Sequence, residues 1–240
     1  METLIIPKGK TETAVETVNA SEHERTIVLE EESSLTLCIL NLSDAPEERY
    51  VRHRITLRQG SKLTLVSVTF HGNTIHTIES VCEGGHATSS ITCIAYARGT
   101  EKQSITAQNK FLAAEGSGQM LMKGVAEEKA HSILHGKIDI GLKGVGTNTY
   151  LTQDVLMLDA SAKVDAIPGL EIKTNDVKAS HSAGVRRITQ EDYFTFAARG
   201  IEKEEARHMF IVGFLMDAVK ELPVEEEVLL ALEKKMNAES

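Results

Sequence analysis

Apolar and polar residues alternate in short runs over most of the chain, from about Glu24 to about Ile188. Residues 34–40, 62–70 and 137–142 are examples, and β-branched side chains are frequent in them. A period of two residues that is rich in β-branched side chains is typical of strands with one buried face. The pattern therefore predicts a mainly β protein.

The spacing of these runs limits the number of possible β architectures. The predicted strands recur every ~8–12 residues, which suits a sandwich, a barrel or a solenoid, and no helical pattern interrupts them. Small residues recur at the breaks, at 84–87, 116–118 and 144–146. The Asn-Gly and Asp-Gly dipeptides of tight hairpins are absent. These two features favour a solenoid, whose stacked coils bury a continuous apolar ladder, without fixing the number of residues in a coil.

From Thr189 the pattern becomes helical. Thr189 is the predicted N-cap of a helix that runs to Arg199, and Gly200 suits the left-handed position beyond its end. A second helix is predicted over residues 202–221, and Pro223 suits the first position of a third. We therefore expect three short helices after the strands.

The second predicted helix is apolar nearly all round between Met209 and Met216, so it must be covered on more than one side. Two interpretations stay open. The helix packs against the other helices and the solenoid end, or it docks another protein, because aromatic and Met side chains are enriched at interface centres. In both, the chain divides into a β-solenoid core, residues 1–188, and a C-terminal helical domain, residues 189–240.

Composition excludes several classes of protein. Aromatic residues make up 4% of the 240 residues and Trp is absent, so Val, Ile, Leu and Ala must fill the core. The net charge of −9 argues against nucleic acid as a partner, because phosphate binding needs a basic surface. No apolar run approaches the ~18 residues of a membrane span, and the first residues lack a signal-peptide layout. Three Cys without a Cys-x-x-Cys pair predict reduced thiols in a cytoplasmic protein.

The sequence does not predict catalysis. It has no phosphate-binding loop and no Gly-x-Gly-x-x-Gly before a helix. The Gly-rich residues 141–146 lie among strands and are predicted to form a turn, so we expect no nucleotide on this chain. A β-helix enzyme that acts on polysaccharide would need paired carboxylates. Asp154 and Asp159 have no spacing that pairs them, and the predicted strands have few rings for a sugar platform.

Soft and borderline metal ligands cluster at residues 82–86, Cys-Glu-Gly-Gly-His, and Cys93 follows in the next predicted strand. Thiolates hold iron–sulfur clusters, with His as an occasional substitute. Cys82 and Cys93 are therefore candidate ligands, although a buried Cys is commonly a small apolar residue and no more. His131 and His135 share the face of a predicted strand, where a spacing of four predicts no metal pair.

Several motifs follow one another in a fixed order between about residues 130 and 213. Leu-Met-Leu at 156–158 precedes Pro-Gly-Leu-Glu-Ile at 168–172. Asp-Val-Lys-Ala-Ser-His-Ser-Ala follows at 176–183, and Ala-Arg-Gly-Ile at 198–201. This order resembles the C-terminal half of the SufB/SufD core, the SUF-type iron–sulfur cluster assembly family. That family has Leu-Leu-Leu, Pro-x-Leu-Glu-Ile, Asp-Val-x-Cys-Ser-His-Gly-Ala and Ser-Arg-Gly-Ile at these places. The N-terminal half is similar only in being strand-rich, and we expect a short, core-only member closer to SufD.

The resemblance implies a right-handed parallel β-helix followed by a helical domain. It also implies a subunit without catalysis of its own that works on a transient iron–sulfur cluster, as a homodimer or with a SufB-like paralogue. A SufC-like ABC ATPase would dock on the C-terminal helices and supply the ATP-driven step. The residues expected at that contact are Phe194, Phe196, Arg199, Gly200, Met209, Phe210 and Phe214.

His181 matches the His that SufD subunits place at the heterodimer interface near the nascent cluster. The resemblance therefore makes it a candidate iron ligand, beside the two cysteines above. Three departures stand out: Ser182 replaces the Glu that follows the His in SufB, no Cys lies near Gln153, and Ala179 replaces a Cys common in SufD. They fit a SufD-like partner or a minimal homodimer that uses other ligands. They also leave open a metal-free β-solenoid interaction module.

Overall fold

A computed structural model describes residues 2–42, 47–220 and 222–237 of the chain. Fourteen strands precede three helices within these residues. The strands are β1 Glu2–Ile6, β2 Thr11–Thr17, β3 Glu22–Leu29, β4 Ser34–Asn41, β5 Arg49–Leu57, β6 Lys62–Thr69, β7 Thr74–Cys82, β8 Thr88–Ala97, β9 Lys102–Phe111, β10 Ser117–Ala126, β11 His131–Ile140, β12 Asn148–Met157, β13 Lys163–Ile172 and β14 Lys178–Arg187. The helices are α1 Gln190–Ala197, α2 Lys203–Met216 and α3 Glu225–Asn237.

The strands form two seven-stranded sheets, one of the odd-numbered strands and one of the even-numbered strands. Every pair of neighbours is parallel. The chain thus alternates between the sheets and advances by one strand in each on every coil, which confirms the predicted β-solenoid. The coils begin at Glu2, earlier than the pattern predicted, because β2 is mostly Thr and Glu and shows little apolar alternation.

Side chains stack in columns along the inside of the solenoid. Parallel pairing keeps each inward-facing position beside an inward-facing position of the next coil. One such column is fully buried and closes the core beside a turn; it comprises Leu29, Leu57, Cys82, Phe111 and Ile140. The absence of Trp is explained by this geometry, since aliphatic side chains fill a uniform space between two flat sheets.

Glycine is required at two of the breaks because the backbone of the neighbouring coil comes close. A Cβ on Gly118 would lie 1.9 Å from the carbonyl oxygen of Ser89, and the φ of Gly118 is +145°. A Cβ on Gly84 would lie 2.0 Å from the backbone nitrogen of Gln59. The small residues at these two breaks therefore mark places where one coil rests on another.

The first two helices begin where the pattern placed them, whereas α3 begins at Glu225, two residues after Pro223. Thr189 caps α1: its hydroxyl accepts the N–H of Asp192 at 3.3 Å, and the Asp192 carboxylate accepts the N–H of Thr189 at 2.7 Å. Gly200 has a φ of +78°, as the predicted left-handed residue requires. The second helix ends at Met216 and is followed by turns, and its predicted end at Glu221 lies outside the described residues.

The helices α2 and α3 lie on the flank of the solenoid, against the outer face of the even-numbered sheet, and not on its end. Side chains of the two helices and outward-facing side chains of that sheet form one buried apolar cluster. Its helical members include Ile211, Leu215, Val228 and Leu232, and its strand members include Leu40, Val68, Ile94, Val125 and Leu156. The helix that is apolar nearly all round is thus covered by a sheet on one side and by α3 on another. Among the described residues, none of the helices combines the length and apolar character needed to cross a membrane.

Ion pairs fix this helical layer at defined points. Arg207 of α2 donates to Glu127 at 2.7 Å and to Asp159 at 2.8 Å, two carboxylates in turns of successive coils. Lys235 of α3 donates to Glu101 at 2.7 Å. Since the side chains of Arg207 and Lys235 are largely buried, these contacts specify where the helices sit as well as holding them.

Replacing Leu215, which is fully buried, with Ala tests whether the apolar cluster holds the helical layer. We expect Leu215→Ala to lower the free energy of unfolding by about 2–5 kcal/mol, because it removes buried methyl groups and leaves a cavity. Leu230→Ala on the exposed face of α3, where Leu230 is 60% exposed, is the matched control and should change it by less than about 0.5 kcal/mol. Urea unfolding followed by circular dichroism measures both, and equal effects would contradict the packing described.

Candidate functional site

The last coil, β13 and β14, is open on one side. Among the described residues β13 pairs with β11 alone and β14 with β12 alone. The outer edge of each strand therefore presents backbone N–H and C=O groups without a neighbouring strand. Residues 163–187 are called the open coil below.

His181 occupies an inward-facing position of this open coil. The register places it next to Leu151, and the same column runs back through buried residues of every even-numbered strand as far as β4; these are Met120, Ile91, Leu65 and Leu37. His181 itself is exposed, since no coil follows β14 in the part of the chain that the structure describes. An imidazole thus stands at the mouth of the solenoid interior, in a position that is buried and apolar in the coils before it.

Apolar side chains surround this mouth. Val185 is in the inward-facing column of Val155 and is 51% exposed, and Ile172 of β13, in the inward-facing column of Ile140, is exposed as well. Inward-facing Leu170 and Ala179 pack on the core from the open coil but are only partly buried. A further coil would bury this apolar rim and pair both free strand edges at once.

The two candidate cysteines lie deep in the core. Cys82 is at the end of β7 and Cys93 is in β8 of the opposite sheet, and both are buried. Burial raises the pKa of each thiol to about 12, which disfavours the thiolate that binds metal. Cys93 lies three strands from β14, on the order of 14 Å along the sheet. The structure therefore does not bring the cysteines next to His181, and their role as ligands stays a prediction.

The aromatic residues of the helices divide into packed and exposed groups. The rings of Phe196 and Phe210 are in contact, with centroids 5.0 Å apart, and Phe214 lies under the ammonium of Lys123. Phe194 is 74% exposed and lines an apolar cleft of about 490 Å³ between α1 and the start of α2. Met209 is exposed too.

Two other predicted contact residues adjoin this exposed group. Arg199 follows α1 and donates back to the carbonyl of Thr195 at 3.2 Å, while Gly200 is exposed in the turn before α2. The predicted docking residues are thus partly used in packing, and Phe194, Arg199, Gly200 and Met209 remain accessible.

A second group of potential ligands, which sequence reasoning missed, lies at the opposite end of the solenoid. Oε2 of Glu16 is 3.1 Å from Nε2 of His53 and 3.5 Å from Nε2 of His23. His53 contacts His76, which contacts the hydroxyl of Ser67. The signal was present as inward-facing polar residues in otherwise apolar alternation, such as His53 between Val51 and Ile55. The strand pairing that unites them could not be read from the sequence.

The sequence of the chain is similar to that of a known protein family. Residues 4–214 match the family model described as SUF system FeS cluster assembly, SufBD core domain. The iron–sulfur cluster assembly protein SufD of Bacillus subtilis is 34% identical over 148 residues, which are 60% of this chain and 33% of that protein. A SufBD family protein of Staphylococcus saprophyticus is 30% identical over 148 residues, 62% of this chain and 32% of the relative.

A SufBD family protein of Staphylococcus epidermidis gives 30% identity over 145 residues, 60% of this chain and 31% of the relative. The match thus spans about a third of the length of these curated relatives. The family model, in contrast, covers the solenoid from β1 through β14 and most of α2. The chain therefore belongs to the SufBD core family of the SUF iron–sulfur cluster assembly system.

Proposed function

We propose that the chain is a non-enzymatic subunit of a SUF-type scaffold complex on which an iron–sulfur cluster is assembled. The observation that carries this proposal is the open coil, in which His181 stands exposed at the end of an otherwise buried column. Family membership indicates a role in iron–sulfur cluster assembly. The exposed His181 of the open coil supports a role as a scaffold subunit in that process. Iron and sulfide are cargo in this account and not resident cofactors.

The open coil joins a coil of another SufB/SufD-type chain. Strand addition would pair the free edges of β13 and β14 and bury the apolar rim around Val185. The partner is a second copy of this chain or a SufB-like paralogue. Such a joint encloses His181 between two chains, so that the site is complete only in the assembly.

His181 then supplies one imidazole ligand to iron or to the nascent cluster. A single imidazole is one ligand of a set that is usually completed by thiolates. The open coil contains no Cys, so the remaining ligands come from the partner or from rearrangement that exposes Cys82 or Cys93. The first source requires no opening of the packed core.

The helical layer binds a SufC-like ABC ATPase through the exposed group around Phe194 and Met209. A movement of the helical layer can be transmitted to the solenoid, because Arg207 links α2 to the turns after β10 and β12. Lys123 of β10 adds bonds to the Phe214 carbonyl at 3.1 Å and to Asp217 at 3.0 Å. A displacement of α2 would pull on the coil that directly supports β14.

Introducing charge into the rim tests the joint. We expect Val185→Lys to weaken the association of the chain with itself or with the SufB-like paralogue at least about tenfold, because the ammonium would be buried in the new interface. Val15→Lys is the matched control, since Val15 is 49% exposed on the edge strand β2 at the opposite end. Sedimentation velocity measures both, and association that survives Val185→Lys would contradict the joint.

Removing the imidazole tests the ligand role. In the complex with partner and ATPase, His181→Ala should lower acid-labile sulfide after anaerobic reconstitution roughly tenfold, while the size of the complex is unchanged. His135→Ala on the outer face of β11 is the control and should leave sulfide at the wild-type level. Sulfide is the readout because it reports the cluster and not loosely bound iron. Full sulfide in His181→Ala would favour the metal-free interaction module instead.

Removing the exposed ring of Phe194 tests whether the ATPase docks on this part of the helical layer. Phe194→Ala should weaken binding of the SufC-like ATPase about 30-fold, the loss typical of an aromatic anchor at an interface centre. Leu230→Ala removes an exposed apolar side chain from α3 and should leave the affinity unchanged. Calorimetric titration measures both, and an unchanged affinity in Phe194→Ala would place the ATPase elsewhere.

A further inference from the structure

Three strands bring Glu16, His23 and His53 together inside the first coils, far from the open coil. Glu16 is at an inward-facing position of β2, and the two histidines are inward-facing on β3 and β5 of the other sheet. Their ligand atoms all lie within 4.8 Å of one another. His53 is completely buried, and the Glu16 carboxylate is nearly so.

The distances are close to those of a metal coordination shell. Ligand atoms about 2.0–2.2 Å from one cation are about 3.0–3.5 Å from each other in tetrahedral or octahedral geometry. The two distances from Glu16 Oε2, 3.1 Å to His53 and 3.5 Å to His23, fall in that range. Nε2 of His23 is buried and makes no hydrogen bond. With the proton on Nδ1, the lone pair of Nε2 is available to a cation.

A chain of hydrogen bonds supports His53 from behind. Nδ1 of His53 is 3.1 Å from Nε2 of His76, and Nδ1 of His76 is 3.1 Å from Oγ of Ser67. When Nε2 of His53 gives its lone pair to a cation, its Nδ1–H donates to His76, whose Nδ1–H donates to Ser67. Each ring nitrogen of His53 and His76 then has a partner, and such outer contacts orient metal-binding histidines in known sites.

Arg25 fixes the orientation of the Glu16 carboxylate. Nε of Arg25 lies 3.0 Å from Oε1 of Glu16. The guanidinium thus orients one carboxylate oxygen and leaves Oε2 directed at the two histidines.

We propose that Glu16, His23 and His53 form a binding site for one first-row divalent cation, of the Fe²⁺ or Zn²⁺ class. Two imidazoles and one carboxylate are a ligand set used for both ions, and they leave positions open for water or a further ligand. The side chain of His23 is 26% exposed, so the site borders solvent through this residue. This proposal does not depend on the joint or on the role of His181.

The test is calorimetric titration of the untagged full chain with ZnCl₂, in a His181→Ala background so that the open coil contributes no imidazole. One equivalent should bind, and Glu16→Gln and His23→Gln should each weaken binding at least about tenfold. Both replacements keep the side chain of similar size, and unchanged circular dichroism shows that the fold is intact. His135→Ala is the matched control and should bind as the background protein does.

A second readout separates ligation from nonspecific binding. Co²⁺ in place of Zn²⁺ should give visible absorption that His23→Gln alters, and Ser67→Ala should weaken Zn²⁺ binding roughly tenfold through His76. The proposal is overturned if no binding is detected, or if Zn²⁺ binds equally well to the background protein, Glu16→Gln and His23→Gln. The cluster would then be a buried hydrogen-bond network only.

Discussion

Pairing between successive coils is the interaction on which the rest of this structure depends. A single coil of the solenoid buries neither its backbone polar groups nor its inward-facing side chains, and both are satisfied only by the coils before and after it. The two ends are therefore special. At the first, the edge strand β2 is mostly Thr and Glu, which suit exposure to water, and the edge strand β1 exposes Ile5. At the last, the inward-facing columns continue into β14 and present His181 and Val185.

This asymmetry links the fold to its proposed role. The helical layer covers the outer face of the even-numbered sheet and leaves the open coil accessible, since α2 and α3 pack on the flank. Arg207 connects that layer to turns one and two coils behind β14. A partner on the helices and a partner on the open coil can thus be bound together, with one short path of packed strands between them.

Local pattern predicts the strands from β3 onward, the start of the helices at Thr189 and a solenoid, and the resemblance supplies the parallel β-helix form. Alternation shows which residues face inward, and a capping box needs only neighbouring residues. The resemblance adds His181 as a candidate ligand, which the pattern does not single out because Ala-Ser-His-Ser-Ala is not a regular apolar run. The position of the helices on the flank was not predictable, since outward-facing Val68 and Ile94 join the apolar cluster only when the coils are in register.

The group of Glu16, His23, His53 and His76 could not be predicted from the sequence for the same reason. Glu16, His53 and His76 are far apart in sequence, and only the register of β2, β5 and β7 brings them together. Cys82 and Cys93 show the converse: their spacing in the sequence suggested a shared site, but they belong to opposite sheets and are buried among apolar side chains. Ligand type can be judged from sequence, whereas the meeting of ligands depends on long-range pairing.

The proposed function depends on completion of the open coil by a coil of another chain. Hydrogen–deuterium exchange follows backbone N–H groups and can be measured on the chain free and in complex with its SufB-like paralogue or a second copy. We expect slowed exchange across β13 and β14 in the complex and no change in β1 and β2. Slowed exchange at the first coil, or none at the open coil in a complex of proven composition, would contradict it.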